Sequence, residues 1–353
     1  MKIFHHDDED GRLSAFLLIR ALRSYLKPED VIEINYETPF PVDKINYGEV
    51  VFVVDFSFTE AKTIAEIREI AFLVWIDHHE DFLKLKESHP WTKDIHGLRR
   101  NNFFDEKEGF ALSGAALTYI WMKYARLDPI ANHFGGYNTE EKVKQYLSNN
   151  CTKNMDFIDS MLSLSYNTRD PHVTLDVFEM IRYISDYDTH SLCHSDIDEF
   201  FYGIRDMEQN PYGENAWVRK IDYIIEHGKI TKKVRENEMK EYLMRNGLIL
   251  EFNGLNILAV NRETNSHIFD SFLDSEERNK EFPLRMVFVT KNNIFYKVTF
   301  YSSDESEVKA YDLAVRFKGG GHPGAAGCTI PIDLFTEKFN FVGSIKDYLK
   351  GGC

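Results

Sequence analysis

The chain has 353 residues, enough for two domains, with 43% hydrophobic and 28% charged residues, as is ordinary for a soluble globular protein. No apolar run approaches the roughly 18 residues of a membrane span. The formal net charge of −15 argues against a protein that tracks long nucleic acid, because that binding needs a basic face to neutralise phosphates. Any anionic substrate is therefore expected to be small, although solubility explains the acidity equally well.

The four cysteines are scattered and form no CxxC spacing. This usage predicts reduced thiols and a cytoplasmic protein, and it argues against a thiolate zinc site. The N-terminus opens on a strand followed by acids, so no signal peptide is expected. The cysteines are Cys151, Cys193, Cys328 and Cys353.

The first half alternates short apolar strands with helical patterns, which predicts an α/β fold with a parallel sheet and helices on both faces. Residues 102–202 are mostly helical in pattern, and the charged segment 216–246 predicts a helical connector. Predicted strands lie at 3–4, 31–36, 50–54 and 72–76, and predicted helices at 13–26, 59–71, 112–124, 140–148, 155–164 and 175–185.

After residue 247 the pattern predicts a smaller α/β domain, with a hairpin turn at 291–293. The predicted domain limits are therefore 1–215, 216–246 and 247–353. Strands are predicted at 248–252, 255–260, 284–289, 294–301 and 328–330, and helices at 308–317 and 342–349.

Acids and histidines follow three of the predicted strands. The carboxyl ends of parallel strands meet at one sheet edge, where ligands bind. Carboxylates this dense repel one another unless a cation lies between them. Each cluster alone is better explained by helix caps and turns, so the prediction of a divalent metal site depends on their convergence. The residues are His6, Asp8, Asp10, Asp55, Asp77, His78 and His79.

Alternation in an extended segment puts His6, Asp8 and Asp10 on one side. His6 is therefore favoured over His5 as a ligand, and the remaining acids of this stretch are expected to face water. Carboxylates with a minority of imidazoles suit Mn²⁺, or Mg²⁺ or Fe²⁺. About six ligands suggest two ions bridged by Asp55, a site typical of phosphoester hydrolysis.

The glycine run GGGHPGAAG at 319–327 predicts a phosphate-binding loop, since consecutive glycine N–H groups can form an anion nest. His322 adds a donor. A tight glycine-rich turn is the alternative. Arg316 and Lys318 flank the run, and each is explained equally well as a solvated charge.

These motifs resemble the DHH/DHHA1 phosphoesterases. The resemblance rests on HDDEDG at 6–11, Asp55 after a buried strand, the Asp77-His78-His79 triplet and the glycine run, and it covers both domains. It is strongest with the nanoRNase B-like oligoribonuclease and phosphodiesterase group. Two positions depart from it: Phe4 occupies the place of a histidine in some relatives, and Lys318 that of a first glycine.

The resemblance implies a role for each residue. His6 and Asp8 would serve one metal, and Asp10 and His78 the other, with Asp55 bridging. A further acid is Asp188 or Asp186, with Asp188 favoured because Asp188-Thr189 resembles the family's Asp-Thr pair. Asp77 would orient a histidine from behind, and His79 would lie near the leaving group or the phosphate. Substrate binding is expected at Gly319, Gly320, Gly321, His322 and Arg316, and His5 and Asp186 are the alternative ligands.

The implied function is a cytoplasmic phosphodiesterase that uses two Mn²⁺ ions to hydrolyse short oligonucleotides or small, including cyclic, dinucleotides to mononucleotides. A DHH domain (1–215) would hold the metals and a DHHA1 domain (247–353) the substrate. The alternatives are a 3′-phosphoadenosine-type nucleotide phosphatase and a non-catalytic nucleotide sensor. No long nucleic acid or membrane partner is expected, and a homodimer is left open.

Overall fold

A computed structural model describes residues 1–79, 81–98, 112–125, 175–189, 193–213, 216–264, 266–269, 272–273, 275–303 and 306–351. The chain divides into two compact units, Met1–Thr231 and Lys232–Cys353. The division falls inside helix Ile221–Asn246, while the predicted domain limits stay a prediction. Within the described residues, no helix combines the length and apolarity needed to cross a membrane.

The first unit contains a four-stranded parallel sheet in the order β2-β1-β3-β4. Its two central strands are almost wholly buried because helices cover both faces, as the continuous apolar runs predict. The strands are β1 (Lys2–His6), β2 (Val31–Ile34), β3 (Val50–Val54) and β4 (Phe72–Ile76). The described helices are Glu9–Leu22, Ala61–Ile70, Asp81–Ser88, Gly114–Ala125, Leu175–Asp188 and Ile197–Arg205.

Each face of this sheet has its own core. On one face, helices Glu9–Leu22 and Gly114–Ala125 pack against each other and against the sheet, with Phe16, Phe52 and Trp121 in the same cluster. On the other face, helix Ala61–Ile70 covers a second cluster. Because both faces are closed, the carboxyl ends of the strands are the edge where polar side chains can collect.

Several predicted boundaries were wrong. The first helix begins at Glu9, earlier than predicted, because Asp8 caps it by accepting from Gly11 N at 2.9 Å. The helix predicted to end at 185 continues to Asp188, so the acidic patch lies in its last turn and not beyond it. The predicted helices at 140–148 and 155–164 fall outside the described residues.

The second unit is built on a seven-stranded sheet in the order β11-β5-β6-β7-β8-β10-β9. Apolar clusters cover both of its faces. The predicted start of the helix at 342–349 is wrong, because residues up to 344 form an edge strand and the helix begins at Ile345. The strands are β5 (Leu248–Phe252), β6 (Leu255–Asn261), β7 (Leu284–Lys291), β8 (Phe295–Ser302), β9 (Gly320–His322), β10 (Ala325–Pro331) and β11 (Asn340–Ser344). The helices are Ile221–Asn246, Glu276–Glu281, Ala310–Arg316, Ile332–Lys338 and Ile345–Tyr348.

Candidate metal centre

Three neighbouring strands deliver the candidate ligands to one sheet edge. His5 of β1 lies opposite Val54 of β3, and Val54 lies opposite Ile76 of β4. The residues after these positions, His6, Asp55 and Asp77, therefore emerge at the same level of the sheet. The parallel register is what turns three separate sequence motifs into one site.

The first ligand group consists of His6, Asp8 and Asp55, whose candidate ligand atoms all lie within 4.8 Å of one another. His6 Nδ1 lies 2.6 Å from Asp8 Oδ2 and 4.0 Å from Asp55 Oδ2. A hydrogen bond at this distance has the proton on His6 Nδ1 and Asp8 as the acceptor, and a cation bound by the two side chains would take the place of that proton.

The second group consists of Asp10, His78 and Asp188. His78 Nε2 lies 3.1 Å from Asp188 Oδ2, 3.8 Å from Asp10 Oδ2 and 3.1 Å from Asp55 Oδ1. Asp55 thus directs one carboxylate oxygen to each group, an arrangement suited to a bridging carboxylate.

Asp55 adopts an unusual backbone conformation. Its φ is 53°, in the left-handed region that few residues other than glycine, asparagine and aspartate enter. Its N–H still donates to the Ile76 carbonyl at 2.8 Å, so the residue stays tied to β4. This turn directly after β3 carries a fully buried carboxylate, and such local strain is typical of functional positions.

Asp10 also binds the N-terminus of a distant helix. Its Oδ2 accepts from Gly114 N at 2.5 Å and its Oδ1 from Ala115 N at 2.9 Å. Helix Gly114–Ala125 begins here with Ser113, whose Oγ accepts from Ala116 N. The helix N-terminus favours the ionised carboxylate and fixes its orientation.

Gly114 is a site residue that the sequence reasoning missed. A Cβ at this position would lie 2.7 Å from Asp55 Cβ, 2.8 Å from Asp55 Oδ1 and 3.0 Å from Asp10 Oδ2. Only glycine lets this helix approach both carboxylates so closely. A visible signal existed in the sequence, since Ser113 is an N-cap residue type at the start of the predicted helix at 112–124, which places the true start at Gly114.

The buried acids of the centre hold their protons strongly. Burial, followed by the charges of Asp10 and Asp8, raises the pKa of Asp55 well above its usual range and that of Asp188 to about 8. The pKa of Asp10 is raised too, chiefly by burial. A buried cluster that served stability alone would avoid placing so many carboxyl groups together.

The pKa values of two flanking groups, Asp8 and His78, are lowered instead of raised. Burial acts to raise the pKa of Asp8, but hydrogen bonds from His6 and Gly11 outweigh it, and the pKa lies well below its usual value. Burial lowers the pKa of His78. Neutral imidazole and ionised carboxylate are the forms that bind metals.

The donor set fits a divalent cation. Both carboxylate oxygens of Asp55, His78 Nε2 and Asp188 Oδ2 are buried without a hydrogen-bond partner. Buried polar atoms are almost always paired, so four orphaned ligand atoms facing one another call for a positive group among them. Oxygen ligands with a minority of imidazoles suit Mn²⁺ or Mg²⁺.

A buried hydrogen-bonded chain, Ser57–Asp77–His79, orients one histidine. Ser57 Oγ donates to Asp77 Oδ2 at 2.6 Å, and His79 Nδ1 donates to Asp77 Oδ1 at 2.7 Å. Burial opposes the charge on His79, but the Asp77 hydrogen bond prevails and raises its pKa to about 9. The His79 side chain also belongs to a group of candidate metal ligands with Asp55 and His78. Ser57, fully buried, was missed by the sequence reasoning.

Two alternative ligands lie elsewhere. His5 is buried, and its Nδ1 contacts the His6 carbonyl at 2.8 Å. Asp186 accepts from the N–H groups of Cys193 and His194 and from His194 Nδ1, so it fastens a loop. Among the described residues neither belongs to a ligand group, whereas His6 and Asp188 do.

The expectation that the other acids face water was wrong for Glu9, whose side chain is only 12% exposed and forms an ion pair with Arg205 at 2.8 Å. The Asp7 side chain is 38% exposed, as expected. Asp7 accepts from Asn35 Nδ2 at 3.2 Å, and its Oδ1 lies 3.5 Å from His6 Nε2. Both acids therefore brace the turn that carries the ligands.

The glycine run belongs to the second unit and forms a hairpin. Strand Gly320–His322 pairs antiparallel with strand Ala325–Pro331, with a two-residue turn between them. Lys318, in the place of a first glycine, has φ 61°, and Gly321 has φ 140°. The predicted loop is thus partly strand. Arg316 Cζ lies 6.0 Å from the centroid of the Phe252 ring.

The chain is similar to known proteins in its N-terminal domain and its fold. Residues 1–152 match the family model described as DHH family, N-terminal domain. The solved pGpG-specific phosphodiesterase PggH from Vibrio cholerae is 14% identical, with 94% of each chain covered and a TM-score of 0.48. RecJ in complex with Mn²⁺ from Thermus thermophilus is 14% identical, with 95% of this chain and 50% of that chain covered and a TM-score of 0.48.

A search of curated proteins gave no significant match. The family match covers β1 to β4, including the turns that carry His6, Asp8, Asp10, Asp55 and His78. Residues 1–152 of the chain are therefore similar to the N-terminal domain of the DHH family.

Proposed function

We propose that the protein is a metal-dependent phosphodiesterase that hydrolyses short oligonucleotides or small dinucleotides to mononucleotides. The observation that carries the proposal is the position of Asp55, which belongs to the group with His6 and Asp8 and also places Oδ1 3.1 Å from His78 Nε2 of the second group. Both of its carboxylate oxygens lack hydrogen-bond partners. Shared carboxylates of this kind are typical of two-metal sites that act on phosphate esters.

The residues would divide as follows. His6 and Asp8 would hold one Mn²⁺, Asp10, His78 and Asp188 the other, and Asp55 would bind both. Bound ions of this type supply Lewis acidity and neutralise charge on a phosphoryl group. The chain's own contribution is to fix the ligands, which it does through the β1–β3–β4 register and through the helix N-terminus on Asp10.

His79 would contact the substrate phosphate. Its Nδ1 is held by Asp77, which leaves Nε2 as the nitrogen available to a ligand. A carboxylate behind an imidazole favours its protonated form, and a cationic imidazole can stabilise negative charge on a phosphate oxygen or a leaving oxygen. Ser57, by donating to the other Asp77 oxygen, would keep this pair aligned.

The second unit would bind a phosphate or nucleotide group. We take it to be a DHHA1 domain in which the hairpin around Gly320–His322 offers backbone N–H groups to a phosphate or nucleotide. The net charge of −15 favours a short substrate, since long nucleic acid would be repelled.

The test uses purified protein, Mn²⁺ and 5′-labelled RNA and DNA of two to five nucleotides. Wild-type protein should shorten these substrates to mononucleotides, and Asp55→Asn should remove the activity, whereas the exposed-acid variant Asp43→Asn should retain it. Hydrolysis of a 3′-phosphorylated nucleotide alone would favour a phosphatase. Nucleotide binding without hydrolysis of any phosphoester would favour a sensor and refute the proposal.

A further inference from the structure

Tyr36 is an exposed aromatic residue placed beside the metal centre. It lies two residues after β2, and it is 48% exposed. Its ring centroid is 5.1 Å from that of His6 and 6.3 Å from that of His79. Isolated exposed aromatics are common and need no explanation. This one is distinguished by its position and by how firmly it is held.

Three contacts fix the residue. Its ring stacks on Phe56 with centroids 4.6 Å apart and an interplanar angle of 14°, and its hydroxyl accepts from Ser57 N at 3.0 Å. The preceding Asn35 donates to Asp7 in the ligand-bearing turn. Phe56 covers one ring face, yet nearly half of the residue stays in solvent. The ring is therefore oriented in advance on a residue that is 48% exposed to solvent.

We infer that Tyr36 is a stacking platform for a nucleobase of the substrate, an inference that rests on the proposed function. A base lies one sugar away from its phosphate, which is compatible with a ring 5.1 and 6.3 Å from two imidazoles of the centre. Aromatic side chains stack on any base, because every base has a π-face. Tyr36 thus selects nucleotides over other phosphate esters without selecting among bases.

Stacking on one aromatic residue strengthens nucleotide binding by on the order of ten- to a hundred-fold. In the presence of Mn²⁺, AMP and UMP should both bind that much more tightly than ribose 5-phosphate, which offers the same phosphate and sugar but no base.

The experiment is isothermal calorimetry with these three ligands on the full chain, with short-diester hydrolysis measured in parallel. Tyr36→Ala should lose the preference for AMP over ribose 5-phosphate, and Tyr36→Phe, which keeps the ring, should retain it. Tyr25→Ala is the matched control, because Tyr25 is 43% exposed in the same unit but outside the ligand groups.

Equal binding of AMP and ribose 5-phosphate by wild-type protein would overturn the inference, as would a preference that survives in Tyr36→Ala. Equal weakening of all three ligands in Tyr36→Ala would also overturn it, since the residue would then only support the centre. If wild-type protein hydrolyses no diester but shows a Tyr36-dependent preference for AMP, the proposed function fails and the platform stands.

Discussion

Replacing Gly114 with alanine tests whether the close approach of a helix to the two buried carboxylates is required for metal binding. The new Cβ would lie 2.7 Å from Asp55 Cβ and 2.8 Å from Asp55 Oδ1. Carbon atoms pack at about 3.5–4.0 Å, so one of the two groups must move by about 0.8 Å. Metal–ligand distances tolerate only about 0.2 Å. Asp55 is fully buried, and Asp10 is held by the helix itself.

We therefore expect Gly114→Ala to weaken Mn²⁺ binding by about 10–100-fold, the range seen when the support of a ligand is disturbed. Overpacking should also cost about 1–3 kcal/mol of unfolding free energy. Calorimetric Mn²⁺ titration and thermal unfolding measure the two effects. Gly320→Ala is the control for metal binding, since its Cβ enters open space in the second unit. Unchanged Mn²⁺ affinity in Gly114→Ala would refute the argument that Asp55 must stay in place.

Three further predictions concern the same centre. Asp77→Asn should lower the pKa of His79 from about 9 toward its ordinary value, visible by NMR titration, and a pKa that stays high would contradict the role of Asp77. Between about pH 4 and 8, protein prepared without metal should keep a proton on Asp188 that the unfolded chain has lost, so its unfolding free energy should fall by about 1.4 kcal/mol per pH unit for that proton. Saturating Mn²⁺ should reverse this trend. Scanning calorimetry at pH 6 and 8 measures both, and greater stability at pH 8 without metal would contradict the prediction. Asp188→Asn should impair Mn²⁺ binding, whereas Asp186→Asn should leave the Mn²⁺ affinity intact. Asp186→Asn should instead lower the unfolding free energy by about 1–3 kcal/mol, because the amide accepts less well from the N–H groups of the loop. The reverse pattern would mean that Asp186 is the ligand and Asp188 the residue that holds the loop.

The sequence was sufficient for those features that depend on short-range pattern. β3 (Val50–Val54) and β4 (Phe72–Ile76) match their predicted bounds because continuous apolar runs between turn residues leave little choice. The family match and the fold confirm the parallel N-terminal sheet. Asp55 could be singled out because it directly follows such a strand, where ligands of parallel sheets bind.

Features that depend on contacts between distant segments could not be predicted in this way. The hydrogen bond from Gly114 to Asp10 joins residues 104 positions apart, and that from Ser57 to Asp77 joins residues 20 apart. The resemblance favoured Asp188 over Asp186, but the physical reason depends on the helix, which continues to residue 188. Its last turns direct Asp186 toward the loop and Asp188 toward His78. A propensity argument ends such a helix too early, because tertiary packing overrides the weak preferences of its last turn.

Asp55 shows that folding stability alone does not account for the composition of this centre. Its left-handed backbone costs about 1–3 kcal/mol, and its buried carboxylate has no hydrogen-bond partner and lies among other acids. Each of these features opposes folding of the metal-free chain, and neither serves the packing of β3, which would be satisfied by a small apolar residue. A bound cation would offset the cost of the buried carboxylate, since it would pair the two oxygens and displace the proton that burial retains. The departure from ordinary folding rules at this one residue is therefore the strongest physical argument that the cluster is suited to bind a cation.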